Sequence, residues 1–67
     1  MHAMATENLE ERIAALKILI VDDDPFMHRV IRAMPSAVGV KRIQDACNGA
    51  DGLDAIRTAA PDIVILD

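Results

Sequence analysis

Two apolar runs end in carboxylates. Lys17-Ile18-Leu19-Ile20-Val21 leads into Asp22-Asp23-Asp24, and Ile63-Val64-Ile65-Leu66 leads into Asp67. Short β-branched runs of this kind read as buried strands, and in an open parallel sheet ligands sit beyond the carboxyl ends of the strands. If the two strands are neighbours, Asp22, Asp23 and Asp67 share one small volume, where their charges repel unless a hard cation or shared protons compensate them. An Mg²⁺ held by one or two carboxylates, waters and phosphate oxygens is the economical solution. A carboxylate beside that ion can act as a nucleophile toward phosphorus and form an acyl phosphate, with Mg²⁺ neutralising charge on the transferring phosphoryl group. The plainer alternative for Asp22 and Asp23 is a solvated acidic turn. Asp24 stands apart: it precedes Pro25, so it reads as a helix N-cap followed by a first-turn proline.

The elements that must position these groups are legible from periodicity. Residues 1 to about 6 read as a disordered leader, and from Thr6 a short amphipathic helix carries Leu9, Ile13 and Leu16 on one face. After the first strand, Phe26, Met27, Val30, Ile31 and Met34 recur at helical spacing, with His28, Arg29 and Arg32 on the other face. On this reading His28 is a solvent-facing helix residue. Pro35 removes an intrahelical hydrogen bond and clashes with the carbonyl four residues back, so the helix is expected to kink or end near Met34. Val38-Gly39-Val40 turns into Arg42 to Ala46, a weaker strand suited to a sheet edge. Asn48-Gly49 marks a break, Asp51 opens a second helix with Leu53 and Ile56, and Pro61-Asp62 stops it before the strand Ile63 to Leu66. Strands alternating with helices predict an α/β fold with a parallel sheet and right-handed crossovers.

Composition narrows the function classes. Sixty-seven residues allow one domain, short enough that a partner or ligand usually assists its stability. A net charge of −4, with only Lys41 and Arg42 adjacent among the basic residues, argues against direct nucleic-acid binding. No Trp or Tyr and a single Phe leave no aromatic platform for bases. The apolar runs are too short to span a bilayer, and Met1-His2-Ala3-Met4 lacks the features of a signal peptide. The single cysteine, Cys47, rules out an intrachain disulfide, suits a cytoplasmic setting, and reads as a small buried hydrophobe.

Taken jointly, Lys17 to Asp24, a helix, a Gly-containing turn, Asn48-Gly49-Ala50-Asp51-Gly52, and Pro61-Asp62 followed by Ile63 to Asp67 resemble the receiver domain of two-component response regulators. The resemblance runs from Lys17 to Asp67 and covers the first half of such a domain; residues 1–16 form a leader and helical extension. It implies a flavodoxin-like (βα)5 fold, of which β-α-β-α-β is present, with the first and third strands adjacent. It implies that Asp67 is the phospho-acceptor, taking a phosphoryl group from a sensor histidine kinase or phosphotransfer protein. It also implies that Asp23 and Asp67 bind Mg²⁺ directly while Asp22 acts through water. The expected role is relay of a signal to an output domain or partner, by a phosphoprotein that is not an enzyme beyond its own phosphorylation chemistry.

The departures from the family pattern set the alternatives. The carbonyl after the acceptor, the Ser or Thr and the Lys that contact the phosphoryl group are outside these 67 residues, so the acidic half of the site is present without its cationic half. A chain stopping at its own reactive residue reads as incomplete. The edge of its last strand invites self-association through strand exchange. One alternative is a phosphate-independent protein-interaction fragment. Another is a haloacid dehalogenase-type phosphotransferase, whose Asp-x-Asp spacing Asp22 and Asp24 match, although Pro25-Phe26 departs from that motif. A dinucleotide site is not indicated, since no Gly-x-Gly-x-x-Gly follows the first strand.

Overall fold

The computed structural model describes residues 2–66, with side chains described from Leu9 onward. The order is α1 (His2–Ala15), β1 (Lys17–Val21), α2 (Pro25–Ala37), β2 (Arg42–Ala46), α3 (Gly49–Ala59) and β3 (Ile63–Leu66). The strands form one parallel sheet in the order β2-β1-β3, the flavodoxin-like arrangement. The two apolar runs form β1 and β3, and the weaker alternating segment forms β2 at a sheet edge, each where the sequence placed it.

Strand β1 is apolar at successive positions because both of its faces are covered. Alternate residues point to opposite sides. Leu19 and Val21 join Ala46 and Ala55 of α3 in one cluster. Ile18 and Ile20 join Val40 in the other, against which Ile13, Ile31, Ile43 and Ile65 pack. Leu19 and Ile20 are essentially sealed from solvent, at 1% and 0% exposure, and burial of each contributes about 2–3 kcal/mol. Gly52 of α3 lies close against β1: a Cβ there would stand 3.1 Å from Val21 Cγ2, a tight approach to a β-branched side chain.

The β1–β3 register is set at its start by a reciprocal clasp. The Lys17 amide donates to Asp62 Oδ2 at 2.9 Å, and the Asp62 amide donates to the Lys17 carbonyl at 2.8 Å. The Lys17 ammonium adds a bond to the Ala59 carbonyl. From that anchor Ile18 pairs with Ile63 and, at the far end, Val21 pairs with Leu66.

Helix boundaries differ from the sequence reading in three places. First, α1 is already helical at His2, so the stretch read as a disordered leader belongs to that helix from His2 onward. Second, α2 continues through Pro35 to Ala37 instead of ending near Met34. Pro35 has no N–H to give the Ile31 carbonyl, but only Ser36 and Ala37 follow it in the helix, so the interruption is confined to its last residues. The end is closed instead by Val38 N–H to the Met34 carbonyl, Gly39 N–H to Ser36 and Val40 N–H to Pro35. Gly39 permits that reversal with φ +106°, a value that side-chain-bearing residues rarely adopt. Third, α3 begins at Gly49, not Asp51. Asn48 is its N-cap, its Oδ1 accepting the Asp51 amide at 2.9 Å, so the Asn-Gly pair starts the helix.

Among the described residues, the far edge of β3 and the faces beside it are apolar and open. Leu66 is 73% exposed, and Leu53, Ile56, Val30 and Met34 are exposed nearby. No helix among the described residues is long and apolar enough to cross a membrane.

Helix α3 ends on Ala60 in the left-handed conformation (φ 47°), a position that favours glycine. Ala60→Gly is therefore expected to raise unfolding stability by about 0.5–1 kcal/mol, the relief of left-handed strain outweighing the greater freedom of the unfolded chain. Denaturant titration of the two chains checks the sign.

Candidate functional site

The ladder between β1 and β2 extends one residue past Val21: the Asp22 amide donates to the Ala46 carbonyl at 3.0 Å. The chain then leaves the sheet through Asp22, Asp23 and Asp24 before entering α2. Its course is fixed by short bonds. Asp22 Oδ1 accepts the Asp24 amide at 2.9 Å, an Asx-type turn. Asp24 Oδ1 accepts the Phe26 amide at 2.9 Å as the N-cap of α2, with Pro25 in the first turn. The sequence reading of Asp24 as a cap thus holds.

The two remaining carboxylates differ in environment. Asp22 is buried, at 5% exposure, whereas Asp23 is open to solvent. Both lie just ahead of the α2 N-terminus, whose dipole favours negative charge. The loop sits at the carboxyl end of β1. There the topology switches, because β2 and β3 lie on opposite sides of the strand that precedes both. Leu66 pairs with Val21, and the residue following each in the sequence is an aspartate, Asp67 and Asp22 respectively. Asp67 itself lies outside the described residues. Among the described residues no group of three or more His, Cys, Asp and Glu gathers as a metal cluster. Asp22 and Asp23 offer carboxylate oxygens alone, a donor type that suits a hard cation such as Mg²⁺.

Beside the loop is a hollow of about 290 Å³ lined by residues including Asp23, His28, Arg29, Arg32, Asp45 and Cys47. Two sequence readings are corrected here. His28 is buried, at 8% exposure, rather than solvent-facing. Its Nε2 lies 2.6 Å from the Asp22 carbonyl oxygen and its Nδ1 3.0 Å from Asp45 Oδ1. The apolar period of α2 placed it on the outer face, but that period carries no information about polar partners on β2 and the loop. Cys47 is exposed rather than buried, because it follows Ala46, the last residue of β2, and precedes the Asn48 cap.

Arg32 completes the cluster, its Nη2 donating to Asp45 Oδ2 at 2.6 Å and to the Ile43 carbonyl at 3.3 Å. The Arg32–Asp45 pair is about 40% exposed on each side, so its own contribution is small, about 0–1 kcal/mol. Its effect is to orient Asp45. Sequence reasoning missed Asp45, His28 and Arg32 as a group, and missed Asp62 as the register clasp; a strand-borne acid and a helix-borne His and Arg give no spacing signal.

Comparisons with known proteins find relatives over most of the chain. The chain is 42% identical over 53 residues to a protein-glutamate methylesterase/protein-glutamine glutaminase of Methanosarcina acetivorans, covering 78% of this chain and 15% of that protein. It is 41% identical over 49 residues to a protein of the same description from Natronomonas pharaonis, covering 73% and 14%. It is 37% identical over 51 residues to the transcription regulator BvgA of Bordetella pertussis, covering 76% and 24%. The chain thus spans a quarter or less of these relatives' length. No family model matches it, and no solved structure matches it significantly. The parallel sheet, the acidic exit of β1 and these likenesses place the chain among the receiver domains of response regulators, of which it carries the β-α-β-α-β portion.

The haloacid dehalogenase alternative fits poorly, since Asp24 is committed to the α2 cap and Asp22 is buried with Oδ1 bound to a main-chain amide. Asp24→Ala is expected to destabilise the fold by about 1 kcal/mol, with Asp24→Asn restoring most of the loss because an amide oxygen still accepts the Phe26 N–H. Thermal or denaturant unfolding of the pair of variants tests this.

Proposed function

We propose that this chain is the phospho-accepting portion of a receiver domain, with Asp67 as the acceptor. The observation that carries the reading is the parallel pairing of Val21 with Leu66 at the switch point of the sheet, with Asp22 and Asp23 leaving the strand next to it. A sensor histidine kinase or phosphotransfer protein is the donor. In the transfer the nitrogen–phosphorus bond of its phosphohistidine breaks, and an oxygen–phosphorus bond to the Asp67 carboxylate forms. Asp23 and Asp67 would hold Mg²⁺, with Asp22 acting through water, and the ion would offset negative charge on the phosphoryl group.

The exposure of Asp23 leaves its oxygens accessible to a hydrated cation, while the buried Asp22 anchors the loop. Phosphorylation would add charge and acceptor oxygens at the strand exits, biasing a surface that an output domain or partner reads. The setting is the cytoplasm, and the role is signalling: turnover of a separate substrate is not part of it.

The test is incubation with Mg²⁺ and a small acyl phosphate donor, followed by intact mass measurement. The expected result is a gain of one phosphoryl group, abolished by Asp67→Asn and cut at least tenfold in rate by Asp23→Asn. A chain that gains no mass under these conditions, yet binds a partner, would establish phosphate-independent interaction instead.

A further inference from the structure

We infer that His28 is a positioning residue, whose ring pins the Asp22 carbonyl to α2 and so fixes the peptide plane from which Asp23 departs. The inference rests on the Mg²⁺-dependent reading above. His28 is the buried residue of α2, and its position there has a polar explanation. Its Nε2 is 2.6 Å from the Asp22 carbonyl oxygen, and its Nδ1 is 3.0 Å from Asp45 Oδ1. The other Asp45 oxygen takes Arg32 Nη2 at 2.6 Å. A carbonyl has no hydrogen to give, so Nε2 is the donor in the contact with Asp22.

The consequence falls on Asp23. The Asp22 carbonyl and the Asp23 amide belong to one planar peptide unit, and fixing that carbonyl fixes the plane from which Asp23 departs. The other constraint on the turn, the Asp24 amide on Asp22 Oδ1 at 2.9 Å, holds the side chain of Asp22. Between them, the main chain and the carboxylate of Asp22 are both tied before any cation arrives. Outer-shell partners of this kind commonly tune metal affinity by orienting the ligands. The charged or titratable groups around the ring are Asp22, Asp23, Arg29, Arg32, Asp45 and Cys47, all on the loop, α2 or the end of β2.

Two isosteres separate the ring's two contacts. The side-chain nitrogen of glutamine reaches as far as Nε2 and can still donate to the Asp22 carbonyl. Asparagine reaches only as far as Nδ1 and can meet Asp45 alone. The measurements are Mg²⁺ affinity by titration, hydrogen exchange of the Asp24 amide without metal, and thermal midpoint. His28→Asn is expected to weaken Mg²⁺ binding about tenfold and to speed Asp24 exchange. His28→Gln is expected to keep both near wild type, even though both variants lower the midpoint. Equal behaviour of the two variants in affinity and exchange would overturn the positioning role. If the unsubstituted chain takes up no Mg²⁺, the phospho-acceptor reading falls. Asp24 exchange then still decides: slower exchange in His28→Gln than in His28→Asn supports positioning, and equal rates refute it.

Discussion

The structure depends on β1 being paired on both edges and covered on both faces. Parallel strands need crossover connections, and such sheets persist where helices bury both sides. In this chain one five-residue strand meets β2 along its whole length and β3 over its last four residues. It supplies the two residues most completely removed from solvent, Leu19 and Ile20. Every other element is positioned relative to it. Helix α3 packs on the face bearing Leu19 and Val21, and Ile13 of α1 and Ile31 of α2 on the face bearing Ile18 and Ile20.

That arrangement also determines where chemistry can occur. A strand sealed on all sides delivers its next residues to the single place left open, its carboxyl end. The acidic loop emerges there with its backbone already committed. The Asp22 amide goes to Ala46, its carbonyl to His28, and its Oδ1 to the Asp24 amide, with Asp24 in turn capping α2. Neighbouring acids thus divide their work: Asp22 organises, Asp24 caps, and Asp23 keeps its carboxylate toward solvent. Like charges this close are tolerable at a surface with a helix N-terminus facing them, and a divalent cation would stabilise them further.

The apolar surface is uneven in a way that follows from the same topology. On the β2 side, the sheet ends in a strand whose exposed Arg42, Gln44 and Asp45 make it a polar edge of the kind that resists further pairing. On the β3 side, exposed Ile63, Val64 and Leu66 offer no such protection. The exposed apolar residues of α2 and α3 flank that second side. In this sheet β3 is an edge strand, whereas the flavodoxin-like strand order gives the third strand a further neighbour on that side.

The sequence by itself determined the strands, because β-branched runs between turn residues have few other stable destinations. It determined the Asp24-Pro25 helix start, because a cap and a first-turn proline act within a few residues. The family was legible in the joint spacing of the acids, the Asn-Gly turn and the Pro-Asp ending. Local rules failed where several effects competed. Pro35 was tolerated because only two helical residues follow it and the turn after them is closed by main-chain bonds of its own, and Asn48 captured the start of α3 two residues ahead of the first acid. Only the tertiary structure decided what His28, Asp45, Arg32 and Asp62 do. Their partners lie 6 to 45 residues away and meet only after the sheet has assembled. Periodicity reports which face of a helix is apolar; it cannot report which carbonyl or carboxylate a polar side chain will find across a fold, because that depends on strand register and not on neighbours along the chain.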